Sequence, residues 1–380
     1  MKKGWQTKTL GEVLEKTETV NPIQSPNTEF DYIDVSSVSN TTFEIQETQR
    51  LKGKDAPSRA RKLVRTNDII FATIRPTLQR IAIVPEHLDK QVCSTGYFVL
   101  RTKQGIDHRF VFYSLFTDNF IGQMESLQKG ASYPAVTDGD VRAQEIPVPP
   151  LAEQQRIVGL LDEAFEGLAT AKANAEKNLQ NARALFEGHI QSVFTQRGPG
   201  WVETTLESCC EQIFAGGDVP KDRLSEERTP KFSVPIYSNG EKNDGLYGFT
   251  DVARVTKPSI TVSARGTLGF TAIRTEPFLP VVRLIVLVPD ERQITLSFLY
   301  YAVVGMDFGN TGTSIPQLTV PNFKESKLHV PSLSEQEAIV EELDALAEET
   351  QRLARLYERK LAALEALKKS LLHQAFTGEL

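Results

Sequence analysis

The sequence contains an internal repeat in which matching positions lie 182 residues apart. The octet Leu151–Val158 (LAEQQRIV) returns as Leu333–Val340 (LSEQEAIV), and this offset holds without a gap from Gly130 to Thr195. Upstream the match is weaker, but Arg75-Pro76-Thr77-Leu78 parallels Arg265-Gly266-Thr267-Leu268. A period of this length indicates a duplicated domain-sized unit. Each copy therefore consists of a variable globular part followed by a well-matched tail.

Both tails are predicted to be long helices. After Pro150 and after Pro331 the chain lacks proline and almost lacks glycine over more than 40 residues. Apolar residues recur at alternating spacings of three and four, which is typical of a coiled-coil seam. The predicted seam positions include Val158, Leu161, Phe165, Ala175, Ala182 and Phe186 in the first tail, and Ile339, Leu343, Leu353, Leu364, Leu367 and Leu371 in the second. A second apolar edge is left for a partner protein, at Val340, Ala347, Ala354, Leu361 and Ala375. In the second tail, Ser334 and Glu337 have the spacing of a helix-capping box.

The globular parts have short apolar runs separated by turn-rich stretches, which favours mixed helix and strand structure. The predicted strands are Asp68–Ile74, Ile81–Val84, Tyr97–Leu100, Ile260–Ala264 and Arg283–Val288. The predicted fold class is α+β, with two pseudo-repeated α/β domains separated by two long helices that form an antiparallel coiled coil. The predicted boundaries are 1–150 for the first domain, 151–195 for the first helix, 196–332 for the second domain and 333–380 for the second helix.

Composition restricts the possible classes of protein. A chain of 380 residues can bury two cores, and no apolar run approaches the roughly 18–20 residues of a membrane span. Behind Met1 there is no apolar stretch of the kind found in a signal peptide, so a cytoplasmic location without membrane attachment is expected. Cys93, Cys209, Cys210 and five scattered histidines form neither a disulfide framework nor a zinc spacing. We therefore expect no metal ion.

The net charge of −6 is unevenly distributed. The two predicted helices, 151–195 and 333–380, together contain ten basic and sixteen acidic side chains, which accounts for the whole excess. The rest of the chain is neutral and can present basic surface locally. If the helices pair antiparallel, the repeat has an approximate two-fold axis, as do the duplex backbone and dimeric DNA-binding proteins. A coiled-coil adapter that joins two protein-binding modules has the same geometry and remains the alternative.

Several phrases resemble the conserved regions of the specificity subunits of type I restriction–modification systems. They are Ile146–Ile157 (IPVPPLAEQQRI), Gln374–Leu380 (QAFTGEL), Gly312–Leu318 (GTSIPQL) and Tyr32–Ser36 (YIDVS). The resemblance covers essentially the whole chain. It implies that each recognition domain binds one half of a gapped asymmetric site on double-stranded DNA. It also implies that two methyltransferase subunits dock on the helices, with restriction–translocase subunits completing the complex. The chain itself would then hold no cofactor, and S-adenosylmethionine and ATP would bind the partner subunits.

A catalytic role for the chain itself is not supported by its motifs. An amino-methyltransferase needs an Asn/Asp-Pro-Pro-aromatic motif. The most similar stretch of this sequence, Asn21-Pro22-Ile23-Gln24, lacks the second proline and the aromatic residue. The glycines at 216–217, 266 and 269 fit no phosphate or cofactor fingerprint and are interpreted as turn residues. The chain is therefore predicted to be a non-catalytic subunit.

DNA contacts require Lys and Arg for phosphates and forked or amide side chains for base edges. The segment from Arg50 to Arg65 contains seven basic residues against the single acid Asp55, and the candidates within it are Lys52, Lys54, Arg59, Arg61 and Lys62. The alternative for this segment is a solvated basic loop. The equivalent residues Arg75 and Arg265, with Thr77 and Thr267, follow predicted strands, and the alternative for the two arginines is a duplicated structural ion pair.

The remaining candidates lie in polar loops. Ser132 and Tyr133, and in the second copy Thr313 and Ser314, belong to a loop that precedes each helix. Their hydroxyl groups suit phosphate contacts, although a structural turn is the alternative. In the second domain, Tyr237, Ser238, Asn239 and Lys242 lie in a polar, turn-rich loop of a kind suited to a DNA groove.

Overall fold

The structure is a computed structural model that describes residues 4–306, 308 and 318–380. Thr313 and Ser314 lie outside the described residues. The chain forms two compact units, of which unit 1 comprises the residues up to Ala175 together with Arg359–Leu380, and unit 2 comprises Glu176–Glu358. Each long helix therefore contributes one stretch to each unit.

Unit 1 contains nine short strands and four short helices before its first long helix, within the described residues. The strands are β1 (Gln6–Thr9), β2 (Glu29–Ile33), β3 (Gln49–Lys52), β4 (Ala60–Leu63), β5 (Ile69–Ala72), β6 (Ile81–Ile83), β7 (Val92–Ser94), β8 (Tyr97–Leu100) and β9 (Glu145–Val148). The helices are α1 (Leu10–Val13), α2 (His108–Ser114), α3 (Asp118–Leu127), α4 (Asp138–Arg142) and the long α5 (Leu151–Gln196).

Unit 2 repeats this plan with different loops. Its strands are β10 (Val202–Thr205), β11 (Cys210–Ala215), β12 (Val234–Tyr237), β13 (Leu246–Thr250), β14 (Ser259–Val262), β15 (Thr271–Arg274), β16 (Leu279–Pro280), β17 (Ile285–Pro289) and β18 (Lys327–Val330). Its helices are α6 (Leu206–Cys209), α7 (Leu296–Val304), α8 (Val320–Lys324) and the long α9 (Leu333–Thr377).

The sheets show which strands correspond between the two units. In unit 1, β5 lies between β6 and β8, with both pairings antiparallel. In unit 2, β14 lies between β15 and β17, again antiparallel, and β11 is added beyond β17. All four side chains of each central strand are buried, so both faces of the strand are covered. This explains why β5 has a continuous apolar sequence, whereas β14 includes the buried hydroxyl residues Ser259 and Thr261. All five predicted strands are confirmed to within a few residues at each end.

In each unit the first strand pairs with the strand that precedes the long helix. β1 pairs antiparallel with β9, and β10 pairs antiparallel with β18 in the equivalent register. Trp5 and Trp201, just before the first strands, pack against residues of the helix that follows each domain. Both copies of the repeat thus have a Gly-Trp pair, Gly4-Trp5 and Gly200-Trp201, just before the closing strand of the domain.

Within each unit the two long helices run antiparallel. In unit 1, Arg156 donates to the Leu380 carbonyl oxygen over 2.9 Å, and Lys172 forms an ion pair with Glu365 at 2.9 Å. In unit 2, Arg183 contacts Glu358 at 3.1 Å and His189 contacts Glu342 at 3.0 Å. Residue numbers rise on α5 as they fall on α9 in both cases. The predicted fold class is confirmed, whereas the four boundaries stay predictions.

The predicted seam is correct along most of α5, but it drifts towards the end of both long helices; on α5, Ile190 is buried in place of the predicted His189. Val158, Leu161, Ala175 and Ala182 are buried as predicted. Towards the end of α9, however, Leu372 and Ala375 are buried while Leu367 is 48% exposed. Assigning Leu367 to the seam and Ala375 to a free edge was therefore wrong. The reason is the helical period of 3.6 residues, which moves a strict heptad pattern around the helix by about 20° per heptad.

The start of α9 is also corrected. The helix begins at Leu333, so Ser334 lies inside the first turn rather than at the N-cap position. The amides of Glu335 and Gln336 donate to the carbonyl oxygen of Ser332 instead. The predicted capping box at Ser334 and Glu337 is therefore wrong by two residues, because Ser332 occupies the N-cap position; this is within the usual uncertainty of a helix end assigned from sequence.

Candidate nucleic-acid interface

Four residues selected separately in the sequence lie together on the surface of unit 1. The chain leaves β5 and forms a bridge between Ile74 and Ala135, which brings the 130–134 loop against the segment after the strand. The amide of Arg75 donates to the Pro134 carbonyl oxygen over 2.7 Å. Its guanidinium donates to the Ser132 carbonyl oxygen at 3.4 Å and lies 5.3 Å from the centre of the Tyr133 ring. We call Arg75, Thr77, Ser132 and Tyr133 together the Arg75 surface.

The backbone presents the Arg75 surface to solvent. Arg75 has a left-handed conformation, φ 50° and ψ 58°, which is rare for a residue with a side chain and costs about 1–2 kcal/mol. Gly130, at φ 102°, makes the facing turn, where an added Cβ would lie 3.1 Å from the Tyr133 carbonyl oxygen. Arg75 and Thr77 are exposed, and Tyr133 is 72% exposed.

The chemistry of the Arg75 surface suits a nucleic acid. A guanidinium binds phosphate oxygens or the O6 and N7 edge of guanine in bidentate fashion, and an exposed tyrosine ring offers a stacking or apolar contact. Within the part of the chain that the structure describes, Arg75 forms no ion pair with an acidic side chain. Arg75 therefore contacts a backbone carbonyl group and an aromatic ring, and neither contact neutralises its positive charge.

The basic segment from Arg50 to Arg65 divides into paired and unpaired residues. Arg50 contacts Asp31 at 2.8 Å, and Arg65 contacts Glu18 at 2.5 Å. Lys62 is largely enclosed, because its ammonium group donates to the Tyr97 carbonyl oxygen at 2.6 Å and to Asp138 at 2.7 Å. Arg61 is half-buried and donates to the Ala60 carbonyl oxygen.

The other three cations of this segment are exposed. Lys52, Lys54 and Arg59 lie at the surface, and no ion pair holds them among the described residues. They are the members of the segment that are both exposed and, within the described ranges, without an acidic partner, so their charges are available to bind a phosphate.

In unit 2, Arg265 follows the strand that corresponds to β5. It is half-buried after β14, and its buried Nε atom has no hydrogen-bond partner among the described residues. A buried guanidinium donor without a partner is costly, and such atoms call for an explanation. Thr267 is exposed in the adjoining turn, where Gly266 and Gly269 adopt positive φ angles of 71° and 81°.

The polar turn after β12 holds the other candidates of unit 2. Lys242 is exposed, whereas Tyr237, Ser238 and Asn239 are half-buried. The side-chain amide of Asn239 accepts from the Ala264 amide at 2.7 Å and donates to the Val282 carbonyl oxygen at 2.5 Å. Asn239 thus joins three loops, and its amide is already occupied at both ends.

Arg274 holds the same turn from inside and was not selected from the sequence. It is 7% exposed, donates to the Thr261 hydroxyl at 3.1 Å and to the Asp244 carbonyl oxygen, and its guanidinium lies 3.7 Å from the centre of the Tyr237 ring. Burial lowers the pKa of this guanidinium. The signal was available, since Arg274 occupies an inward-facing position of β15 where an apolar residue is the norm.

Among the described residues, no three or more His, Cys, Asp or Glu side chains form a group that could hold a metal ion. No helix within 4–306 and 318–380 is long and apolar enough to span a membrane.

Comparison with known proteins gives a consistent result. The sequence model of the "Type I restriction modification DNA specificity domain" matches twice, at residues 2–179 and 199–359. The chain belongs to this family. A putative type I specificity subunit of Mycoplasma pneumoniae is 30% identical over 253 residues, which is 66% of this chain and 67% of that protein.

Solved structures agree across the whole chain. A chain from a study of complex assembly and conformational transition of the type I restriction–modification system has a TM-score of 0.91, with 29% identity and coverage of 100% of this chain and 99% of that one. The HsdS subunit from Thermoanaerobacter tengcongensis has a TM-score of 0.69, with 30% identity and coverage of 100% and 98%. The predicted resemblance is confirmed, and the chain is a DNA sequence-specificity subunit. The coiled-coil adapter is not favoured.

Proposed function

We propose that this specificity subunit selects a bipartite DNA site, with the domain of unit 1 binding one half and the domain of unit 2 the other. The duplication supports this most strongly, because the family model matches each half separately. The sheet β6–β5–β8 recurs as β15–β14–β17, and an arginine follows the central strand in both, Arg75 after β5 and Arg265 after β14. Two domains that share a fold but differ in their loops are suited to bind two half-sites of different sequence.

Within the first domain, two kinds of contact are proposed. Lys52, Lys54 and Arg59 supply phosphate contacts, which position the domain but do not distinguish sequences. The Arg75 surface supplies contacts near the base edges, because the Arg75 guanidinium is held there by the Ser132 carbonyl oxygen and lies beside the exposed Tyr133 ring.

The two long helices are proposed to dock two methyltransferase subunits. Each unit presents the same pair of exposed leucines, Leu151 with Leu367 in unit 1 and Leu333 with Leu185 in unit 2. The pairs occupy equivalent positions of the repeat, and their members are between 38% and 57% exposed. Equivalent exposed leucines in the two copies of the repeat favour two copies of one partner. Exposed apolar residues that recur in this way indicate an interaction site more strongly than single ones do.

Catalysis is proposed to reside in the partners. S-adenosylmethionine would bind the methyltransferase subunits, and ATP the restriction–translocase subunits. This chain would bind DNA and dock the other subunits, and would hold no cofactor itself. No membrane contact belongs to this proposal, and a cytoplasmic location suits a protein that acts on chromosomal DNA.

Purification with the proteins encoded beside it tests this proposal. We expect the chain to capture a methyltransferase with an Asn-Pro-Pro-aromatic motif and the complex to methylate a gapped site. Changing Leu185 and Leu367 to Glu should weaken capture by at least about tenfold, since burial of one leucine contributes about 1.5–3 kcal/mol. Leu356→Glu is the matched control, because Leu356 is 44% exposed but its repeat counterpart is Asn174. Capture of a signalling or cytoskeletal protein in place of a methyltransferase would contradict the proposal.

A further inference from the structure

Gln154 connects the start of α5 to the domain of unit 1. Its side chain is 1% exposed, and its carbonyl oxygen accepts from the Asp107 amide at 2.8 Å. Its NH₂ group donates to the carbonyl oxygens of Pro149 at 2.8 Å and Gly105 at 3.4 Å. Asp107 is the N-cap residue of α2. One buried amide therefore joins the long helix, the strand end before it and the first turn of a domain helix.

Gln336 makes the same set of contacts in unit 2. Its side chain is fully buried, and its carbonyl oxygen accepts from the Thr295 amide at 2.8 Å. Its NH₂ group donates to the carbonyl oxygens of Gln293 at 2.8 Å and Pro331 at 3.0 Å. Thr295 is the N-cap residue of α7. The duplication has thus preserved the bonding pattern, including the proline carbonyl group, although the other two residues bonded by the amide have changed.

A second contact lies two turns further along each long helix. In unit 1 the Tyr113 hydroxyl donates to Asp162 at 2.5 Å, and in unit 2 the Tyr301 hydroxyl donates to Asp344. Each tyrosine lies six residues after the N-cap residue of its domain helix. Each aspartate lies eight residues after the glutamine, about 12 Å along the long helix. We call each glutamine with its tyrosine–aspartate pair a domain joint.

Two contacts at separate points fix the direction of a domain on its long helix, whereas a single contact does not. A domain held only at the first turn of its helix can pivot about that point, whereas a second contact about 12 Å away opposes the pivot. The glutamine contact is stiff because all of its hydrogen-bonding groups are buried and bonded, and rotation would leave them unsatisfied.

From this geometry we infer that Gln154 and Gln336 are positioning residues that fix the direction of each recognition domain on its helix and so restrict the complex to one gap length. The inference rests on the proposed bipartite function. DNA half-sites shifted by one base pair differ by about 3.4 Å along the duplex. A domain that pivots on its helix can reach such a shifted half-site, while its own sequence contacts remain unchanged.

The test uses the assembled complex with Gln154→Met, which retains side-chain length but removes the amide. Methylation is measured on duplexes with identical half-sites and with the parental gap or one base pair more or less. We expect methylation at the altered gaps, relative to the parental gap, to rise about tenfold, which corresponds to about 1.4 kcal/mol. The preferred half-sites should not change. The control is Gln155→Met, at an exposed neighbouring position that should keep parental discrimination.

Tyr301→Phe removes the hydroxyl of the second contact in unit 2 and keeps the inference testable if Gln154→Met does not fold. It is preferred to Tyr113→Phe because Arg109 also contacts Asp162, at 2.6 Å, in unit 1. A purely structural role would lower the melting temperature of these variants without changing the ratio between gaps, and that result in an assembled complex would overturn the inference. Failure of the parental complex to methylate any gapped duplex would overturn the proposed bipartite function as well, which separates the two failures.

Discussion

The paired helices are expected to set the gap between the half-sites, and lengthening both of them tests this. The change is a second copy of Ala171–Asn174 in α5 together with a second copy of Leu361–Leu364 in α9. Both insertions lie between the ion pairs Lys172–Glu365 of unit 1 and Arg183–Glu358 of unit 2. Each unit therefore keeps its own contacts between the helices.

The magnitude follows from helix geometry. Four residues add about 6 Å and about 40° beyond a full turn, so the apolar seam is nearly restored. At about 3.4 Å per base-pair step, 6 Å corresponds to about two base pairs. Two inserted residues would rotate the seam by about 200° and should prevent assembly. An insertion in α5 alone should destabilise the fold, because α9 then falls four residues short of its partner.

The assay is genome-wide mapping of methylated bases in cells that express the double-insertion complex. We expect the same two half-sites separated by a gap about two base pairs longer. If a soluble, assembled variant methylates only sites with the parental gap, the helices do not set the spacing. The spacing would then be a property of the domains' own docking surfaces or of the methyltransferase subunits.

Two further predictions concern catalysis and DNA affinity. The isolated chain should transfer no methyl group from S-adenosylmethionine to DNA, and methylation by the chain without partners in a radiolabel assay would contradict this. Changing Lys52, Lys54 and Arg59 to Ala should weaken DNA binding of all sequences and reduce the slope of log K against log salt by up to about 2.7, at about 0.9 per phosphate contact. Arg65→Ala, whose guanidinium is paired with Glu18, should change the slope less. An unchanged slope in the triple variant would assign those three cations to solvated surface.

The architecture could be predicted because duplication and periodicity are properties of the sequence alone. The octet at 151–158 and its copy at 333–340 indicate both long helices, and a continuous apolar run indicates β5. A fixed period of 3.5 on α9, however, predicts that Leu367 is inside the seam and Ala375 outside it, which is the reverse of what the structure shows. That error came from the difference between 3.5 and 3.6 residues per turn, which accumulates over a helix of 45 residues.

The candidate site was harder to predict because its residues act through contacts distant in sequence. Arg75 lies close to Tyr133 because Ile74 forms a β-bridge with Ala135, 61 residues further along the chain. The internal repeat nevertheless indicated both of these segments. Lys62 looked equivalent to its basic neighbours, but Asp138 lies 76 residues away and encloses its charge. Gln154 lies in the family motif Ile146–Ile157, and nothing in that motif shows that its side-chain amide is buried against Asp107. Burial and hydrogen-bond partners are tertiary properties that composition and spacing do not contain.

The central claim is that each domain selects its own half of the target, and an exchange of one domain tests it most directly. Residues 201–315 would be replaced by the equivalent segment of a related specificity subunit, and the methylated sites mapped in cells with the same methyltransferase. We expect one half-site to change to that of the donor, while the other half-site and the gap remain parental. A change in both halves together, or in neither half for an assembled complex, would contradict the account.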